Sequence, residues 1–355
     1  RGVTAIGAYA FYGCVNLIDI TLPEGLTAIG RYAFKGCAAL GRVEILSGMT
    51  TLGAYAFTES GITEIVLPEG LQTVEYDAFN NCTNLRSVSL PGTLQDLGSS
   101  TFYNCSALTA ITLPQSLTKI GYQCFYGCSG LTEIEIPSQV TSIEWGTFQN
   151  CTALKSVTMY EGLTSVGASA FSGCEALTQV TLPESVTELG GSVFSGCKNL
   201  TTVNLPQGIT KIQNSLFYDC SSLAAITIPD SVLTIESSAF SGCSSLTAVE
   251  IPTGVSTIGS WAFSKCTSLT EIVIPEGVTG IAYGTFYNCT ALEKITLPGG
   301  LTEIGEQAFS NCSALQAIEL PEKVTTIGAR AFYGCKMLKQ ITLPDSLTEI
   351  GKQAF

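Results

Sequence analysis

The stretch Leu292-Glu293-Lys294-Ile295-Thr296-Leu297-Pro298-Gly299-Gly300-Leu301-Thr302-Glu303-Ile304-Gly305-Glu306-Gln307-Ala308-Phe309-Ser310-Asn311-Cys312 decides the fold, because the whole chain repeats it. Phe309 is one of sixteen phenylalanines. From Phe11 to Phe355 each falls 23 residues after the last, with a single step of 22 between Phe57 and Phe79. Pro298 is one of thirteen prolines, all in one slot of the repeat, and only Leu46 and Tyr160 break that row. A period of this length held across 355 residues means a solenoid. Each repeat is one supersecondary unit that buries its apolar face only against its neighbours.

Within one repeat, Ile295 and Leu297 lie two apart and share an inward face, while Lys294 and Thr296 point outward. The residue before a proline is pushed toward extended geometry, and proline cannot donate to a central ladder. A five- to six-residue strand is therefore expected, ending at a corner at the proline and stacked in parallel on the next repeat. Leu301 and Ile304 form a second apolar pair, and Gly305 marks a second corner where positive φ is expected. Residues 306–312 leave room for about one helical or 3₁₀ turn. There Phe309 fills the core and Ala308 lets the turn sit close to its neighbour. The expected fold is an α/β repeat solenoid of about fifteen coils.

The pattern Leu-x-x-Ile-x-Leu-Pro-x-x-Leu-x-x-Ile-Gly-x-x-Ala-Phe-x-x-Cys, from Leu292 to Cys312, resembles the BspA-like, or Treponema-type, leucine-rich repeat, and it runs over essentially the whole chain. The resemblance implies a right-handed leucine-rich-repeat superhelix with a strand-lined concave face. It also implies bacterial or protist cell-surface or secreted proteins that adhere to host proteins or to other cells. The local departures are Leu46, Tyr160 and the short repeat after Phe57.

Composition narrows the partners. Lys and Arg together number 16 against 29 acidic residues, a net charge of −13. Phosphate binding needs clustered cations, so nucleic acid is not expected as a partner. No run approaches the ~18 apolar residues of a membrane-spanning helix, so no membrane insertion is expected. Residues 1–355 read as one repeat domain that begins and ends in mid-repeat, a fragment lacking caps, and uncapped coils invite end-to-end self-association.

Fourteen of the fifteen cysteines lie three residues after a phenylalanine, and Cys124 takes an alanine slot. One cysteine per coil forms a line of equivalent side chains, which suits small buried hydrophobes. The Phe57 repeat has Ser60 there and is also a residue shorter, as a packing role predicts. Disulfides between adjacent rungs are the second reading and metal binding the third. With no histidine and no Cys-x-x-Cys, a metal site has little to draw on.

Without histidine, Ser-His and Cys-His nucleophile systems are excluded. The carboxylates after the proline slot, such as Glu69, Glu184 and Glu276, recur in register, as a solvated edge would. Isolated in this way they make a poor calcium cage. No enzyme, metal or cofactor is expected. The outward strand positions vary where the core does not, and form a polar, mildly acidic face. Its candidate partner-binding residues are Glu44, Glu64, Glu133, Glu135, Thr158, Gln179, Thr181, Glu250, Glu271 and Glu319. The ligand would be a protein or glycan on another cell or matrix, and a structural spacer is the alternative.

Tyr12, Tyr103, Tyr126, Tyr218, Tyr287 and Tyr333 directly follow core phenylalanines, and others, among them Tyr9, Tyr32, Tyr55, Tyr76, Trp145, Trp261 and Tyr283, precede them by two or three. Half-buried packing between coils is the expected role, and sugar stacking the alternative. Six Asn-x-Ser/Thr triplets occur, and five have Cys in the middle, so the repeat itself generates them.

Overall fold

The computed structural model describes residues 2–46 and 48–355. It divides into two compact units, one running to Leu177 and the other spanning Thr178–Phe355. Each is a run of stacked coils with all paired strands parallel and in register one repeat apart.

In the first unit, Arg42–Glu44, Glu64–Val66 and Ser87–Ser89 form one three-stranded sheet. Glu133–Glu135 pairs with Ser156–Thr158 farther along. A second row of two-residue strands runs from Ala5–Ile6 through Ala28–Ile29, Thr51–Leu52, Thr73–Val74 and Asp96–Leu97 to Lys119–Ile120. The second unit repeats the arrangement, with Gln179–Thr181 on Thr202–Asn204, Glu271–Val273 on Lys294–Thr296 and Ala317–Glu319 on Gln340–Thr342. Its own second row includes Gly280–Ile281, Glu303–Ile304, Thr326–Ile327 and Glu349–Ile350.

The strands before the proline are three residues long, shorter than the sequence suggests. Turns crowd them from both sides. The Leu131 amide still closes the preceding turn on the Cys128 carbonyl at 3.0 Å, and the Pro137 carbonyl already accepts from Val140 at 2.9 Å. The proline therefore opens its corner as the first residue of a turn. Tyr160, in the same slot, makes the same bond to Leu163 at 3.3 Å.

The expected helical or 3₁₀ turn is absent: the described residues contain no helix of either kind. The bonds around Phe102 give the reason. Tyr103 and Cys105 donate to carbonyls three residues back, as a 3₁₀ turn would. Ser100, Phe102 and Asn104 instead donate forward to Tyr122, Cys124 and Tyr126 of the next coil, at 2.7–2.9 Å. To aim alternate amides outward, residues two before and two after the phenylalanine adopt left-handed φ, +54° at Ser100 and +56° at Asn104. A helix needs a continuous right-handed run, so this segment becomes a ladder of turns.

Positive φ therefore sits on either side of the phenylalanine and not at the glycine corner. The corner glycine answers a different demand, close backbone approach. A Cβ on Gly98 would lie 2.5 Å from the Tyr76 nitrogen, and one on Gly305 would lie 2.7 Å from the Ile281 oxygen. Where the slot holds Glu75, its carboxylate turns back to accept from the Ala54 amide at 2.8 Å.

The core follows from the rows. In each unit the phenylalanine rings stack coil on coil, with centroids 5.0–5.6 Å apart in the first, as for Phe34–Phe57 and Phe57–Phe79. In the second they are 5.3–5.7 Å apart, as for Phe240–Phe263 and Phe263–Phe286. At each strand the middle residue is inward and its neighbours outward, so Ile134 is buried between exposed Glu133 and Glu135.

Candidate functional site

The strand face is where side chains are free to meet a partner. Glu44, Glu133, Glu135, Thr158, Gln179, Thr181, Glu250, Glu271 and Glu319 are all exposed, and Glu64 is half-buried. In the first unit the fold brings Glu133, Glu135 and Thr158 together. Register pairs Glu133 with Ser156 and Glu135 with Thr158. With Thr112 and Gln115 they line a shallow groove of about 330 Å³. Tyr160 donates its phenol to Glu135 Oε1 at 2.8 Å, and that bond raises the phenol's pKa.

Glu44 and Glu64 are held differently. Arg42 lies between them, 3.4 Å from Glu44 Oε2 and 3.6 Å from Glu64 Oε1. That single guanidinium offsets half of their charge. In the second unit Gln179 and Thr181 face Thr202 and Asn204, and Glu271 faces Lys294. Asn204 is structural, because its amide bonds both the nitrogen and the oxygen of Leu182, at 2.9 and 3.1 Å. Glu319 faces Thr342, and Glu250 forms a single bridge with Thr227.

The carboxylates after the proline slot have a structural task. Glu69, Glu184 and Glu276 each accept from a corner amide of the next coil: Gly92 at 3.3 Å, Gln207 at 3.0 Å and Gly299 at 3.2 Å. Among the described residues, no three His, Cys, Asp or Glu side chains gather as a metal would need.

Thirteen of the fifteen cysteines are buried. Buried thiols of the row donate to the phenylalanine carbonyl of the coil before. Cys151 reaches Phe125 and Cys289 reaches Phe263, at 3.1 and 3.0 Å. Burial pushes the Cys82 thiol up to about 12, and the Cys289 thiol likewise. Such thiols are poor nucleophiles and poor metal ligands. In the row-breaking coil, Ser60 sits against Cys82 at 3.4 Å.

Five of the six triplet asparagines (Asn81, Asn104, Asn150, Asn288 and Asn311) occupy the left-handed slot, with φ of +57° at Asn81 and +62° at Asn311, while Asn199 lies outside it. Glycine fills that slot elsewhere, as at Gly127 and Gly334. Asparagine and glycine are the residues that tolerate it best, so backbone geometry accounts for the row.

Tyrosines pack as ladders in the first unit. Tyr9–Tyr32 and Tyr32–Tyr55 stack at 4.8 and 4.6 Å, Tyr103–Tyr126 at 4.5 Å, and Arg31 lies 4.9–5.6 Å from the rings of Tyr32, Tyr55 and Tyr76.

The family model for the BspA type leucine rich repeat region, which spans six copies of the repeat, matches three stretches of the chain, residues 4–132, 118–247 and 233–355. The chain belongs to the BspA-type leucine-rich repeat family. A leucine-rich repeat protein from Bacteroides ovatus is 30% identical over 98% of this chain and 81% of its own, with a TM-score of 0.70. A leucine rich cell surface protein from Faecalibacterium prausnitzii is 27% identical over 96% of this chain and 88% of its own, with a TM-score of 0.59. None of the curated proteins compared matches the chain. Within this BspA-type repeat, no helix among the described residues is long and apolar enough to cross a membrane.

Proposed function

We propose that this chain is a non-enzymatic binding scaffold of a bacterial cell surface, acting as one repeat domain that holds a protein ligand on its strand-lined face and so serves adhesion. The observation that carries the reading is the groove at Glu133, Glu135 and Thr158. It is open and acidic, and Lys and Arg are absent from its lining. The backbone beneath is pinned by the ladder and by buried Ile134, so the carboxylates are presented from a rigid platform. Rigid presentation lowers the ordering cost of binding. A basic segment of a partner protein is the complementary ligand, and its association would weaken with salt. The cell-surface protein of Faecalibacterium supports the location.

The test is binding of the purified chain to a panel of extracellular-matrix proteins, beside a Glu133→Lys, Glu135→Lys variant. Saturable binding that the variant loses supports the strand face. Binding that the variant retains moves the site elsewhere. No binding by either protein favours a spacer.

A further inference from the structure

A second surface in the Thr178–Phe355 unit has the makings of a small-ligand site. On the turn side of the coils, the position after each core phenylalanine reads Tyr218, Ser241, Ser264, Tyr287 in four consecutive coils. The two tyrosines end a row whose middle is serine. Together with Ser238, Trp261 and Lys265 they line an open slot of about 420 Å³, within the range of roughly 300–1,000 Å³ usual for small-ligand sites.

The indole is held in place by its surroundings. Its benzo half lies against Gly284, where a Cβ would come within 2.5 Å of the ring. Tyr283 and Tyr287 meet it edge-on, at 4.7 and 5.3 Å and at 83° and 78°. This differs from the tyrosine ladders. Tyr32 is stacked by Tyr9 and Tyr55 on its two sides, so its faces are consumed. No ring stacks face to face on Trp261 or Tyr218 among the described residues, and both open on the slot.

The backbone supports the same assignment. Trp261 and Lys265 both occupy left-handed slots, with φ of +62° and +59°, in a single coil. Neighbouring coils place serine, asparagine, aspartate or glycine there, as at Ser238, Asn288, Asp219 and Gly284. Large side chains in that conformation cost about 1–2 kcal/mol each. The fold bears this cost twice in the coil at the centre of the slot.

We propose that this slot binds a neutral oligosaccharide through its pyranose rings. Flat aromatic faces suit the axial C–H face of a pyranose, through dispersion and ring polarisation. The rim of a sugar is hydroxyl on all sides and needs donors and acceptors. The side chains of Ser238, Asn288 and Gln307 and the ammonium of Lys265 line the slot for that purpose. An aliphatic protein side chain would instead strip water from these groups without replacing its bonds. Tyr218 and Tyr287 are three coils apart, about 14 Å at ~4.8 Å per coil. That span exceeds one ring, so a chain of sugars is the fitting ligand.

The chain has two tryptophans, Trp145 and Trp261, so Trp145→Phe leaves a single reporter inside the slot. The probes are linear tetrasaccharides of glucose, xylose and galactose, with a galacturonate tetramer beside them. A neutral tetrasaccharide is expected to shift the emission of the Trp145→Phe protein saturably. Saturation-transfer NMR then follows Trp261→Ser and Tyr218→Ser, both of which use the residue that other coils carry in that slot and so keep the fold. Each should weaken binding about tenfold. The Glu133→Lys, Glu135→Lys variant should bind the sugar as wild type does, so this outcome is independent of the strand-face reading. No saturable shift with any neutral sugar, or binding that survives Trp261→Ser, overturns the proposal. Binding confined to the galacturonate and lost with Lys265→Ala overturns it as well.

Discussion

The Cys105 thiol donates to the Phe79 carbonyl, 3.2 Å away and one coil earlier. That same carbonyl accepts the Cys82 amide at 3.1 Å within its own coil. Each such oxygen is thus shared between a turn and a neighbour, and the thiol is both a packed apolar group and a second donor. The cysteine row is a seam between coils.

Thiol reactivity should divide sharply. Cys14 is exposed and Cys335 partly so, while the other thirteen are buried. A disulfide-exchange reagent at neutral pH is expected to label Cys14 first, Cys335 more slowly and the rest only on unfolding. Counting labelled thiols by intact mass checks this. Fast labelling of Cys151 in the native protein would contradict the seam.

Alkaline pH should destabilise the protein steeply. The Cys82, Cys124 and Cys289 thiols ionise near 9.0 when free and are raised to about 12 when folded, with burial the largest cause. Between those values the unfolded chain has released protons that the folded chain still holds. Stability is therefore fully present below pH 9.0 and falls through the window to about 12, by about 1.4 kcal/mol per thiol per pH unit. Melting temperatures from pH 7 to 11 measure it. A variant with Cys82, Cys124 and Cys289 changed to alanine should show a flatter decline.

Truncating one rung should act locally. Phe240 is fully buried between Phe217 and Phe263, with ring centroids at 5.5 and 5.3 Å. Phe240→Ala should cost about 3–5 kcal/mol. In an array each coil leans on its neighbours. Hydrogen exchange should therefore rise most in the coils of Phe217, Phe240 and Phe263. Uniform loss of protection throughout residues 178–355 would instead show full cooperativity in that unit.

The two kinds of glycine-favouring position should respond in opposite ways. Gly305→Ala places a methyl 2.7 Å from the Ile281 oxygen and is expected to lower the melting temperature. Asn311, at φ +62°, should accept glycine with little change and lose about 1–2 kcal/mol to valine. Urea titration of the three variants decides whether close approach and left-handed backbone are the separate demands described here.

Much of this was legible in the residues, and the limits have physical reasons. The phenylalanine, proline and cysteine rows each carry one chemistry, so their period locates core, corner and seam directly. The segment Gln307-Ala308-Phe309-Ser310 reads as a turn of 3₁₀ helix because that helix and the turn ladder share the bond to the third residue back. The distinction lies in where alternate amides point, and no residue type reports that. The left-handed slot two before the phenylalanine holds Tyr55, Ser100, Gln123 and Trp261 in different coils, so composition gives no warning. Exposure of Glu133 and Glu135 follows from period two alone. The restraint of Glu44 by Arg42 depends on side-chain reach, and the Tyr218–Trp261 slot on comparing coils with one another.

The alternating amides also bear on force. Within each unit, every coil is fastened to the next by short bonds that run along the direction of stacking, and each fastening involves only that neighbour. Under tension such coils should peel off singly, each releasing 23 residues, or about 80 Å of contour at ~3.5 Å per residue. Stretched in a single-molecule instrument, the protein should lengthen in even steps, yielding as a shock absorber does and not as one brittle body.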